Sequence, residues 1–156
     1  MKEIQKIKYE RKNCLVTIEY SIIEENSDDI KTTLKSSDEP REELVEALNQ
    51  LAPYVESICC LPEHYCDMAE IRGVSFSNHN DVMGAVITAL VPVKSANSPV
   101  VLNTPHLPAS PYSEDYEAPQ LPYGCVLVLK VLKQEVINYI EGHRKPSNQQ
   151  SLDFPE

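Results

Sequence analysis

The chain has no tryptophan, two phenylalanines and only four glycines in 156 residues. Those glycines (Gly73, Gly84, Gly124 and Gly142) are too scattered to spell GxGxxG or GxxxxGK, so neither phosphate-cradling loop is present. There is no HExxH, no paired CxxC, no deaminase signature and no GxSxG nucleophile elbow. No apolar run approaches the ~20 residues that a spanning helix requires. The opening MKEIQKIKYERKN is charged and lacks the apolar core of a secretory signal. With five cysteines, an odd number, the expectation is a reducing cytoplasm and free thiols.

Bases are also missing from the middle of the chain. Residues 1–35 and 124–156 are each balanced, whereas residues 36–123 hold three bases, Arg41, Arg72 and Lys94, against thirteen acids. The whole net charge of −10 therefore lies there. Such a surface repels phosphate, which argues against direct duplex nucleic-acid binding and suits a basic protein partner. Asp38, Glu39, Glu42, Glu43 and Glu46 are the densest part of that acidic surface. Ordinary solubility charge is the simpler reading of the same residues.

What is present in excess is proline, and half of it lies in one segment. Residues 95–122 contain Pro99, Pro105, Pro108, Pro111, Pro119 and Pro122. These exclude a helix and a central strand. Val100, Val101, Leu102, Leu107, Leu121, Tyr112, Tyr116 and His106 make it more apolar than a solvated linker. Connections this long inside a domain are usually binding loops, lids or disordered segments, and the apolar content favours an ordered, functional loop. Residues 97–108 are expected to be ordered against a sheet, around an edge strand VVL. Asn97, Asn103, Thr104, His106, Tyr112 and Tyr116 are the candidate ligand- or partner-binding residues.

Periodicity gives the remainder. Residues 3–11, 14–23 and 30–36 alternate as strands, with a hairpin at Lys12-Asn13, where Asn suits the left-handed turn conformation. Ser37-Asp38-Glu39-Pro40 reads as a helix start. Leu44, Leu48, Leu51, Val55 and Ile58 then form one apolar stripe over about 40–61, with a kink or break expected at Pro53. Residues 68–77 and 82–94 are strands joined by the turn Asn78-His79-Asn80-Asp81, and Gly84 marks a bulge or a close backbone approach. Cys125, Leu129, Leu132, Val136, Tyr139 and Ile140 have helical spacing, with Gly142 as C-terminal cap. A strand over 125–132 is the alternative there. The helix has more apolar girth than one sheet face covers, which points to homodimer formation through it. The expected fold is α+β: an antiparallel sheet of about five strands with two helices on one face, in the order β-β-β-α-β-β-loop-α. Residues 1–146 form one domain and 147–156 a polar tail.

Cys59, Cys60, His64 and Cys66 bring together the donor types that Zn²⁺ prefers. Adjacent cysteines rarely reach one metal, however, and Cys59 continues the apolar helix face, so the structural reading is preferred and no cofactor is expected. For His106 as a catalytic base, Ser98, Ser110, Ser113, Glu114 and Asp115 are partners by type only.

The runs RGVSFSN (72–78), GAVITAL (84–90), NSPVVLNTPHLP (97–108) and YIEGHRKP (139–146) resemble a family of small bacteriophage- and prophage-encoded proteins without an assigned activity. The resemblance extends from about residue 37 onward. It implies the cytoplasm of a bacterial host and an accessory rather than virion-building role. The leading expectation is a non-enzymatic binding protein that engages or inhibits a basic host protein through its acidic middle and the 95–122 segment. A small-ligand or nucleotide sponge with a pocket under that segment is the second reading. An enzyme of unknown class is the third.

Overall fold

Alternating apolar residues build the sheet, and a computed structural model of the chain describes residues 1–110 and 118–146. Strands β1 (Lys2–Glu10), β2 (Leu15–Ile22) and β3 (Ile30–Ser36) form an antiparallel meander in which Ile7 faces Ile18 and Ile18 faces Leu34. A single 3₁₀ turn, Arg11–Asn13, joins the first two. The left-handed residue of that hairpin is Cys14, with φ 47°, rather than Asn13. Its N–H closes the turn on the Arg11 carbonyl.

Of the kink or break expected at Pro53, the structure has the break, giving two helices, α1 (Glu42–Asn49) and α2 (Ala52–Ile58). Pro53 accounts for the break. Its ring would clash with the carbonyl four residues earlier, that of Asn49, and Asn49 is where α1 stops. The Ser37–Pro40 segment does not cap α1, which starts at Glu42 with no side-chain cap. Its polar groups are taken by the other end of the chain. The Tyr139 hydroxyl donates to the Asp38 carbonyl at 2.6 Å, and the Arg144 guanidinium meets the Asp38 carboxylate at 2.8 Å.

Strands β4 (Glu70–His79) and β5 (Val82–Val91) follow as a tight hairpin. Asn80 and Asp81 both have positive φ, 53° and 64°, the geometry of a type I′ turn whose twist matches the strands. The 95–122 segment then contributes β6 (Val100–Asn103) and β7 (Leu107–Pro108), both laid along the free edge of β5. The sheet thus has seven strands rather than about five, in the order β3-β2-β1-β4-β5-β6 with β7 also on β5. Prolines are tolerated there because an edge strand leaves N–H positions unpaired.

Residues 125–132 are helical, within α3 (Tyr123–Ile140). Gly142 ends it at φ 100°, with His143 N–H bonded to the Asn138 carbonyl and Gly142 N–H to that of Tyr139, a Schellman cap. The helices pack on one face of the sheet, where Ile7, Ile18, Leu48, Ile71, Ile87, Leu129 and Leu132 have no solvent exposure. Among the described residues no helix is long and apolar enough to cross a membrane.

Candidate functional site

Of the five acidic candidates, three converge. Glu39 precedes α1, and Glu42 and Glu46 lie one turn apart on it. With Tyr9, Arg11, Pro40, Val45 and Lys145 they line a groove of about 400 Å³. Its floor is apolar. Tyr9 and Pro40 are buried and Val45 is half-buried, and burial raises the Tyr9 phenol above its ordinary pKa. Lys145 answers Glu39 at 3.5 Å. Arg11 is held on the far side by Asn49 and by Glu70 at 3.8 Å. Glu42 and Glu46 have no ion-pair partner among the described residues and are exposed. Like charges at i, i+4 cost a helix about 0.2–0.5 kcal/mol, a repulsion that a cation seated between them would relieve. Asp38 and Glu43 do not join this site, being paired with Arg144 and with Arg41 at 3.1 Å.

The candidates in the Pro-rich segment are spread along an edge rather than gathered in a pocket. Asn97 lines a depression of about 330 Å³ beside Glu70 and Leu90. His106 lies at the other end, over Gly84, its Nε2 hydrogen-bonded to Ser77 Oγ at 2.6 Å. The six residue steps from Gly84 to Leu90 span about 20 Å of extended strand. Gly84 is the close approach that the sequence suggested, since a Cβ there would crowd the imidazole and stand 2.6 Å from Ser77 Oγ. Thr104 is buried and serves the sheet. Its N–H donates to the Ile87 carbonyl and its hydroxyl accepts from the Ile87 N–H, both at 2.9 Å. Asn103 accepts a bond from the Thr88 hydroxyl. Tyr112 and Tyr116 lie outside the described residues, as do Ser113, Glu114 and Asp115. The described residues on either side of them are tied to the β5–β7 edge. Ala109 N–H bonds the Met83 carbonyl at 2.7 Å, and Leu121 N–H bonds that of Pro108 at 2.8 Å.

Ser77 was not legible as the partner of His106, being 29 residues away. Among the described residues no carboxylate hydrogen-bonds that ring as the orienting acid of a catalytic triad would. The cysteine-rich turn is used structurally. The Glu56 carboxylate accepts the N–H groups of His64 and Cys66, and His64 Nδ1 meets Asp67 at 3.0 Å. Cys66 is buried, and desolvation raises the pKa of both Cys59 and Cys66, favouring thiol over the thiolate a metal requires. Among the described residues no three such donors converge to hold a metal ion.

One surface deepens an expectation from the sequence. On α3, Tyr123, Leu127 and Val131 are 78%, 46% and 55% exposed and lie one turn apart. Beside them Pro53, Tyr54, Pro122 and Val128 line a shallow hollow of about 460 Å³.

Comparison with protein-family models, with curated proteins and with solved structures finds no match to this chain.

Proposed function

We propose that this protein is a non-catalytic binding module that takes a Lys- or Arg-bearing segment of a basic partner protein into the groove between β1 and α1. The observation that carries the reading is the pair Glu42 and Glu46, without an ion-pair partner among the described residues and one turn apart above an apolar floor. A lysine or arginine stem would cover Tyr9, Pro40 and Val45 while its charged head sits between the two carboxylates. The phage resemblance supplies the context, an accessory protein acting on a basic protein of a bacterial host cytoplasm. The Pro-rich segment has the smaller role. Thr104 and Asn103 are spent on the sheet, and Asn97 and His106 stand too far apart to orient one small ligand. The test is a ¹H–¹⁵N titration with a hexalysine peptide. Shifts concentrated at Tyr9, Val45 and Glu46, lost in Glu42→Gln/Glu46→Gln, are expected. Shifts centred on residues 103–109 instead would refute the groove.

The exposed Tyr123, Leu127 and Val131 favour a second, compatible reading, a homodimer formed through α3. Sedimentation equilibrium should then show a dimer that Leu127→Glu converts to monomer. A monomeric wild-type protein at high concentration would remove it.

A further inference from the structure

We propose that the cup around Gly73, on the open face of the sheet, binds a tetrahedral oxyanion, either inorganic phosphate or the terminal phosphate of a phosphomonoester. The cup follows from strand register. On the face away from the helices, Lys8 of β1 stands opposite Gly73 of β4, which stands opposite Thr88 of β5. Ser75 is opposite Lys6 in the neighbouring row. Gly73 contributes no side chain, and none can be added, because a Cβ there would run into the Ile7 carbonyl. The result is a hole in a row of side chains. Arg72 is the extra residue of the β4 bulge between Ile71 and Gly73, and the bulge turns it toward that hole.

Lys6, Lys8, Arg72, Ser75 and Thr88 wall a cavity of about 150 Å³. That is room for about five waters at ~30 Å³ each, enough for one oxyanion and too little for a nucleoside. Three cations and two hydroxyls, drawn from β1, β4 and β5, match a tetrahedral anion better than a planar carboxylate, which a single arginine would grip. A single-stranded nucleic acid is disfavoured because Tyr9, Tyr20 and Phe76, the aromatic residues of β1, β2 and β4, point to the covered side and offer bases no stacking surface.

The cations are held loosely from the rim. Glu10 stands 3.3 Å from Lys8 and 3.4 Å from Arg72, Glu70 is 3.4 Å from Arg72, and Glu19 is 3.9 Å from Lys6. Arg72 Nε has no hydrogen-bond partner among the described residues. Each carboxylate reaches one or two cations, whereas an anion in the cup reaches all three. The net charge of −10 weighs little against this, because charges beyond about 8 Å are screened at physiological ionic strength.

The test titrates inorganic phosphate into the full-length protein at constant ionic strength, reading the amide signals of Gly73, Ser75 and Thr88. Saturable shifts are expected, with phosphate binding at least about tenfold tighter than acetate. Lys8→Gln should weaken binding about tenfold and Arg72→Gln at least as much, with melting checked for each variant. Glu10→Gln, which removes a competing carboxylate, should strengthen it. Flotation with phosphatidic acid in phosphatidylcholine vesicles separates the sources. Phosphate binding without flotation assigns a soluble ligand, and added flotation that Lys8→Gln abolishes assigns a lipid headgroup. Shifts that chloride or acetate reproduces, or that survive both Lys8→Gln and Arg72→Gln, overturn the site.

Discussion

The two faces of this sheet come from the same strands and hold opposite chemistry. Ile7, Val74 and Ile87 face the helices and are almost wholly buried, while their neighbours Lys8, Ser75 and Thr88 face away and stay partly or fully exposed. Period-two alternation lets every strand serve both. The covered face supplies stability through apolar burial. The open face and the rim at α1 hold the charges, with the cations around Gly73 paired to Glu10, Glu19 and Glu70, whereas Glu42 and Glu46 on α1 have no ion-pair partner among the described residues. A net charge of −10 thus describes no single surface of the molecule.

Substitution on the two faces should break that comparison most sharply. Leu48→Ala removes a side chain with no exposure from the centre of the covered face and should cost about 2–5 kcal/mol. Lys8→Gln on the open face should change stability by less than about 0.5 kcal/mol. Equal shifts of the two urea midpoints would show that the faces do not divide the work.

A pH scan sharpens the same contrast. Burial in the covered layer pushes the Cys125 thiol up to about 11 from 9.0. Because the folded state holds this proton more tightly, the contribution is fully present below pH 9.0 and is lost as pH rises toward about 11. The loss is at most about 3 kcal/mol, and Cys125→Ala should flatten that part of the profile. Unchanged alkaline behaviour in the variant would contradict the assignment.

At the rim, Arg144 ties the end of α3 to the β3–α1 connection through Asp38, Ser36 and the Tyr139 carbonyl, and its guanidinium stacks 4.2 Å from the Tyr139 ring centre. Arg144→Ala should cost about 1–2 kcal/mol, intermediate between the two faces. The smallest effect is expected within the Pro-rich segment. Replacing residues 110–119 by a Gly/Ser linker of equal length keeps the bonds at Ala109 and Leu121 and should cost at most about 1 kcal/mol.

The strands were legible because alternation is local information, and the helix break was legible because Pro53 acts on Asn49 within its own segment. The edge strand VVL and the close approach at Gly84 were readable for the same reason. The missing cap was not. Ser37–Pro40 has the composition of a helix start, but Tyr139 and Arg144 claim Asp38 from about 100 residues away. The site divides in the same way. Glu42 and Glu46 are an i, i+4 pair visible in the sequence, whereas the floor that makes them a groove needs Tyr9 from β1. Ser77 beside His106, and Lys8 beside Gly73, exist only through strand pairing.

The central claim is that a basic segment binds at the α1 groove and not at the Pro-rich segment. Calorimetric titration of hexalysine into wild type, Glu42→Gln/Glu46→Gln and the loop-replaced protein at ~50 mM salt tests it most directly. The groove variant should lose at least about tenfold in affinity, while the loop-replaced protein should stay within about twofold of wild type. Loss of binding on loop replacement, with the groove variant unchanged, would contradict the account.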